Sequence, residues 1–331
     1  MRESLRNLVE LQLANEEVMR ASTFMEFDSA RKLAAFIFTA RGVRADEARV
    51  KECAQILKKN AGMFSNWRGN LRPVVLAKMA LADDPQAYFD GANAIYQKLV
   101  EGKFFTSEYQ SMTATSLYEM CEPAEVDGVI ERIAQQYQLA KEKHRFLTSD
   151  EDLPFIAMMV LAGQDAELMN NRAEECFELL DQRLRFYPET KQMISHVLAL
   201  SEKPAEQKVE EFWQLYQDLH AAKHDMDKSY MIAILAAFVD LDVPNAELVS
   251  QIGELDEFLK SKKGYGALGV GKRFRRLMAA ILLLQDLTGG EDAGRAGVMG
   301  AAIAQVVVEQ IVETIIVLCV VSSISSSSAS H

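Results

Sequence analysis

A period of about forty residues constrains this chain more than any other feature of its sequence. Prolines set in short polar turns fall at Pro85 (ADDPQA), Pro123 (CEPAEV), Pro204 (EKPAEQ) and Pro244 (DVPNAE), spaced 38, 81 and 40 residues apart. The double interval leaves one unmarked turn near Gly163-Gln164-Asp165, and a step back from Pro85 lands on Ala45 in RGVRADEA. A second landmark recurs at intervals of 41: Phe64-Ser65, Phe105-Thr106, Phe146-Leu147-Thr148 and Tyr187-Pro188. Two markers on one period imply a structural unit repeated along the chain, each copy burying its apolar face on the next.

Each period holds two helical stretches. The one before the proline turn is apolar on most sides, as in LPFIAMMVLAG (153–163) and SYMIAILAAFVDL (229–241), which predicts a helix covered by several neighbours. The one after the turn is amphipathic. Val209, Phe212, Trp213, Tyr216 and Leu219 lie on one helical face, as do Val126, Ile130, Ile133 and Tyr137. These second helices begin with acids and end with Lys103, Lys141, Arg183, Lys223 and Lys260, the polarity that a helix dipole favours.

Alternating strand patterns are almost missing, so the expected fold is all-α: an array of α-α hairpins, HEAT- or armadillo-like, with a closed α/α toroid as the alternative. The expected organisation is an N-terminal capping helix (1–24), helical-hairpin repeats (25–290), an apolar C-terminal capping helix (291–321) and a disordered Ser-rich tail (322–331). Within 298–321, Gln305, Glu309 and Glu313 form a polar stripe that would be costly in a bilayer. A helix packed on the last hairpin is therefore expected, with a lipid-facing helix as the alternative.

A net charge of −12 argues against a general nucleic-acid binder, which needs a basic surface. Cys53, Cys121, Cys176 and Cys319 are far apart and form no C-x-x-C pair, which suits reduced thiols in a cytoplasmic protein. The opening MRESLRNLVELQLANEE is acidic and amphipathic where a secretory signal is apolar.

The segment KKGYGALGVGKRFRRL (262–277) matches two glycine-rich phosphate patterns, but a helical pattern and not a strand precedes it. Arg273 also stands where a magnesium-binding hydroxyl belongs, so no nucleotide cofactor is expected. Seven basic residues and no acid lie between Leu259 and Leu277. Lys272, Arg273, Arg275 and Arg276, with Gly269 and Gly271, are thus the candidate anion site, against the alternative that the arginines pair with acids of neighbouring helices. LTSDEDLP (147–154) reads as helix capping through Thr148-x-x-Glu151 and Ser149-x-x-Asp152, with Pro154 in the first turn. His220 and His224 lack the glutamate of a zinc-protease helix, so no metal is expected there, and His144 and His196 look isolated. The aromatics of the second landmark are expected to pack between hairpins.

With HRFLTSDEDLP, GVGKRFRRLMAAILLL and the apolar-then-serine C-terminus, the chain resembles a bacterial domain-of-unknown-function family, found mainly in Firmicutes, over nearly its whole length. That resemblance implies an all-helical cytosolic protein and carries no activity, cofactor or catalytic residue. No catalytic constellation emerges, and no catalytic residue is expected. The leading expectation is a non-enzymatic repeat scaffold whose grooved face binds a protein or peptide. The alternatives are an enzyme or small-ligand protein holding a phosphate-bearing or acidic ligand at 260–276, and a peripheral membrane protein using the C-terminal helix.

Overall fold

The computed structural model describes residues 1–289 and Ile311, except 24–25, 64, 104–105, 146, 164, 186, 227–229 and 267. Among the described residues the chain is all-α, with no strand. Seven helices form an outer set: α1 (Glu3–Ser22), α3 (Glu47–Asn60), α5 (Pro85–Val100), α7 (Val126–Lys143), α9 (Ala166–Leu184), α11 (Ala205–Ala221) and α12 (Asn245–Lys260). Between them run the inner helices α2 (Asp28–Ala40), α4 (Arg72–Leu81), α6 (Glu108–Met120), α8 (Leu153–Leu161), α10 (Pro188–Ala199) and α13 (Gly271–Gly289), with a 3₁₀ segment (Tyr230–Phe238) in the place of one.

The periodic turns are the starts of outer helices. Asp46, Asp84 and Asp165 cap α3, α5 and α9 by accepting backbone N–H groups of the first turn, and Pro85 opens α5. Pro204 and Pro244 stand immediately before α11 and α12. Each outer helix buries one stripe, as α11 does with Val209, Phe212, Leu215 and Leu219. Each such side chain contributes about 1.5–3 kcal/mol by leaving water.

The inner helices are covered nearly all round, by two different routes. In α8, Leu153 to Val160 are all buried and all apolar. In α6 the buried side chains include Ser111, Thr115 and Ser116, whose hydroxyls donate to carbonyls of their own helix (Glu108 O 2.7 Å, Met112 O 2.8 and 3.1 Å). Small side chains let neighbours approach, and the local bonds satisfy the hydroxyls without outside partners. The stretch expected as a helix at 229–241 is instead 3₁₀ over Tyr230–Phe238. At a rise of about 2.0 Å per residue its nine residues span about 18 Å, the length of the twelve-residue α10 beside it.

The hairpin series returns on itself. The first helix, α1, packs on α2 and also on α13, and α13 reaches α2. Arg2 pairs with Asp286 at 2.8 Å, the Met1 ammonium with Glu254 at 2.5 Å, and Gln285 donates to the Ala40 carbonyl at 3.3 Å. The first and last described helices, α1 and α13, are therefore in direct contact. The first helix packs against α2, α3 and α13.

Among the described residues, no helix is long and apolar enough to cross a membrane. The expected cap at 291–321 and the tail at 322–331 lie outside the described residues, apart from Ile311, which is buried. Cys53 and Cys176 are buried and free, and Cys121 is free and partly covered.

Candidate functional site

The starts of the inner helices α2, α4, α6, α8 and α10 are linked by polar contacts from one hairpin to the next. Arg72 at the start of α4 pairs with Glu26 ahead of α2 at 2.6 Å. Glu108, opening α6, accepts from the Leu71 N–H at 2.8 Å and from Asn70 at 3.1 Å. Gln110 of α6 donates to Asp150 at 2.7 Å, and Gln192 of α10 donates to the Thr148 hydroxyl at 3.3 Å. The serines and threonines of the second landmark sit here. Ser107 forms a capping box at the start of α6, and Ser149 forms one at the 3₁₀ turn Asp150–Asp152 that leads into α8.

A cleft of about 320 Å³ opens between the starts of α8, α10 and the 3₁₀ segment. Glu151, Asp152, Glu189, Gln192 and Tyr230 line it with Ser149, and Leu147, Phe155 and Met193 form its apolar wall. Gln192 is only 3% exposed, and its amide oxygen has no hydrogen-bond partner. An unmet acceptor at that depth is unfavourable unless something arrives to bond it.

The carboxyls of the cleft are held in an unusual state. Burial pushes the Asp152 carboxyl up to about 7, aided by the Glu151 charge, although its Oδ2 accepts the Ser149 N–H at 2.9 Å. Behind it lies the buried His196, its Nδ1 3.7 Å from Asp152 Oδ1. Burial, and then the nearby His144, push that imidazole down to about 4. Burial also raises Glu151, with the Tyr109 phenol opposing and Glu189 adding to the effect. Burial and the charges of Glu151 and Glu189 push Tyr230 up to about 12. Of these groups Asp152, at about 7, can exchange a proton near neutral pH.

The sequence-derived anion site is only partly assembled. Lys272 and Arg273 are exposed at the first turn of α13. Arg275 and Arg276 are 6% and 4% exposed and both hold Asp256, at 2.6 and 3.1 Å. Arg275 also donates to the Tyr265 carbonyl, and Arg276 to the carbonyls of Asp225 and Lys223. Burial acts to raise Asp256, but the bonds and charges of the two arginines outweigh it and hold the carboxyl below its ordinary range. The expectation that four cations face a ligand is therefore corrected for Arg275 and Arg276, which bind α13 to α12. The glycines serve the turn. Gly271 has φ +77°, and a Cβ on Gly269 would lie 2.0 Å from the Gly264 carbonyl oxygen.

Other expectations divide similarly. The Ser149–Asp152 capping box forms, whereas the Thr148 hydroxyl turns back to the Ala140 carbonyl. His224 faces Asp256 at 3.5 Å, and His144 bonds Glu174 at 2.7 Å. Among the described residues no group of three His, Cys, Asp or Glu side chains is placed to hold a metal. Phe64, Phe105 and Phe146 lie outside the described residues; Tyr187, expected in packing, is 43% exposed. The reading of 147–154 as capping alone missed the cleft. Its available signal was the recurrence of polar residues at 108, 150 and 192, one period apart, which only packing between hairpins makes meaningful.

A family described as "Protein of unknown function (DUF4003)" matches residues 16–318. The chain is also similar to the uncharacterized protein YeaA of Bacillus subtilis (strain 168), 25% identical over 202 residues. That match covers 59% of this chain and 60% of the relative's length. No solved structure matches.

Proposed function

For a chain that belongs to the DUF4003 family, a family of unknown function, we propose that a small polar ligand binds in the cleft where α8, α10 and the 3₁₀ segment begin. The observation that carries this is the buried, unpartnered Gln192 amide oxygen on the wall of a cleft also lined by Glu151, Asp152 and Glu189. The scaffold expectation required an extended concave groove. Contacts between α1 and α13 speak for a closed ring rather than an open groove. The free Cys53, Cys121 and Cys176 support a cytoplasmic setting.

A second reading, proton transfer on the bound ligand, is favoured by Asp152, whose carboxyl at about 7 is suited to act as acid or base at neutral pH.

Binding of a chemically diverse small-molecule panel, followed by calorimetry on the full chain and on Glu189→Trp, tests the proposal. Ligands that bind the wild type and fail to bind the cleft-filling variant support it. Binding that survives Glu189→Trp unchanged for every ligand overturns it.

A further inference from the structure

The hydrogen-bonding capacity of the cleft is weighted toward acceptors, the Gln192 amide oxygen and the carboxyls of Glu151, Asp152 and Glu189, against the Tyr230 and Ser149 hydroxyls as donors. The Gln192 amide nitrogen is already engaged with the Thr148 hydroxyl, and its oxygen is the free end. Glu151 and Glu189 add carboxylate oxygens around the opening, with Asp152 deeper in the wall. No lysine or arginine lines the cleft among the described residues. A neutral hydroxylated ligand would bring acceptors as well as donors, and some of its acceptors would face carboxylates. An anion would be opposed by three acidic groups clustered in one low-dielectric recess. An ammonium or guanidinium group brings donors alone, together with the charge that the acids lack. Phe155 and Met193 offer an apolar wall for an alkyl stem, and the Tyr230 ring a face for the cation. A metal ion fits less well, since no group of three metal-capable side chains is present among the described residues.

We propose, resting on the small-ligand reading above, that the ligand of this cleft is a small organic cation, a primary amine or guanidine on a short alkyl stem. The opposing helix dipoles do not reverse this preference. Helix starts attract anions, but α10 already carries Glu189 in its first turn and the short 3₁₀ turn ahead of α8 carries Asp150, Glu151 and Asp152.

Matched probes test it. Calorimetry on the full-length protein compares butane-1,4-diamine and butylguanidine with the uncharged butane-1,4-diol and the anionic butanedioate, with the Met193 methyl resonance reporting occupation of the cleft. The expected result is that both cations bind at least 10-fold more tightly than the diol. Their binding should fall at least 10-fold in Glu189→Gln, in Glu151→Gln and in Gln192→Met, each shown by circular dichroism to be folded. If one of these variants fails to fold, the other two carry the comparison. Diol or butanedioate binding as tightly as the diamine, with a Met193 shift, overturns the cation assignment and leaves the small-ligand reading standing. Diamine binding that all the folded variants retain overturns the assignment as surface ion exchange. If no probe binds or moves Met193, the assignment is overturned, and the diverse panel with Glu189→Trp then decides the small-ligand reading separately.

Discussion

Glu16 of α1 accepts a hydrogen bond from the Tyr265 hydroxyl, 249 residues away in the chain, while its other oxygen holds the Lys32 ammonium at 2.5 Å. The ammonium also lies 3.7 Å from the centre of the Tyr265 ring. All three side chains are buried, so the junction of first and last hairpins is a desolvated ion pair with a phenol across it. Breaking one side strands a charge, whereas removing both does not. Glu16→Gln should lose about 3–5 kcal/mol in urea denaturation, and Lys32→Met a similar amount. The double variant Glu16→Leu/Lys32→Met should recover most of the loss. Additive losses in the double variant would show that the two side chains are not coupled.

The Asp256 junction makes a second contrast. Asp256→Asn leaves Arg275 and Arg276 buried without their shared counter-charge, and should destabilise by about 3–5 kcal/mol. Lys272→Ala, three residues from Arg275 but exposed, should stay within about 0.5 kcal/mol. Equal effects at Lys272 and Asp256 would contradict the assignment of Arg275 and Arg276 to structure.

Glycines of the 264–271 turn should respond unequally to alanine. At Gly269 the new methyl would lie 2.0 Å from a backbone oxygen, and at Gly264 φ is +84°, so both changes should lower the melting temperature. Gly266 has nothing within 4 Å of an added Cβ and an ordinary φ; Gly266→Ala should be neutral, or stabilising by up to about 1 kcal/mol. A thermal melt of the three variants distinguishes a close-packed turn from a flexible glycine loop.

Asp152 and His196 should impose opposite pH slopes on stability. The Asp152 carboxyl is raised from 3.8 to about 7, so the unfolded chain gives up its proton first and stability falls as pH rises through that window. The His196 imidazole is lowered from 6.5 to about 4, so the unfolded chain takes up a proton first and stability falls as pH drops through that window. Between pH 4.5 and 6.5 the two slopes oppose each other in the wild type. Relative to wild type, Asp152→Asn should gain roughly 2–3 kcal/mol on going from pH 4.5 to 6.5, and His196→Asn should lose a similar amount. Urea midpoints at the two pH values check this, and parallel behaviour of all three proteins would refute it.

Much of the hairpin order was legible because helix starts are local chemistry. Asp84 followed by Pro85, or Asp165 before an amphipathic run, acts on the next three N–H groups and needs nothing distant. The inner helices were legible where burial was achieved by apolar residues, as in α8, and less so in α6, where serine and threonine fill the same space. The cleft was not legible for a related reason. Charge along the sequence singles out Lys272 to Arg276, but sequence adjacency does not say that Asp256 neutralises two of the four. Conversely, Asp150, Glu151 and Asp152 satisfy a local capping pattern, and only the tertiary fold sets His196 and Gln192 beside Asp152.

The all-helical class and the step of about forty residues thus follow from the residues alone, since caps, turns and apolar stripes work over a few positions. Curvature does not. It accumulates from small rotations between hairpins, and whether the last meets the first depends on contacts such as Glu16 with Tyr265 and Arg2 with Asp286, far apart in the chain. Packing between elements likewise gathered Glu151 ahead of α8, Glu189 and Gln192 of α10 and Tyr230 of the 3₁₀ segment around one cleft, because α10 packs against both α8 and the 3₁₀ segment.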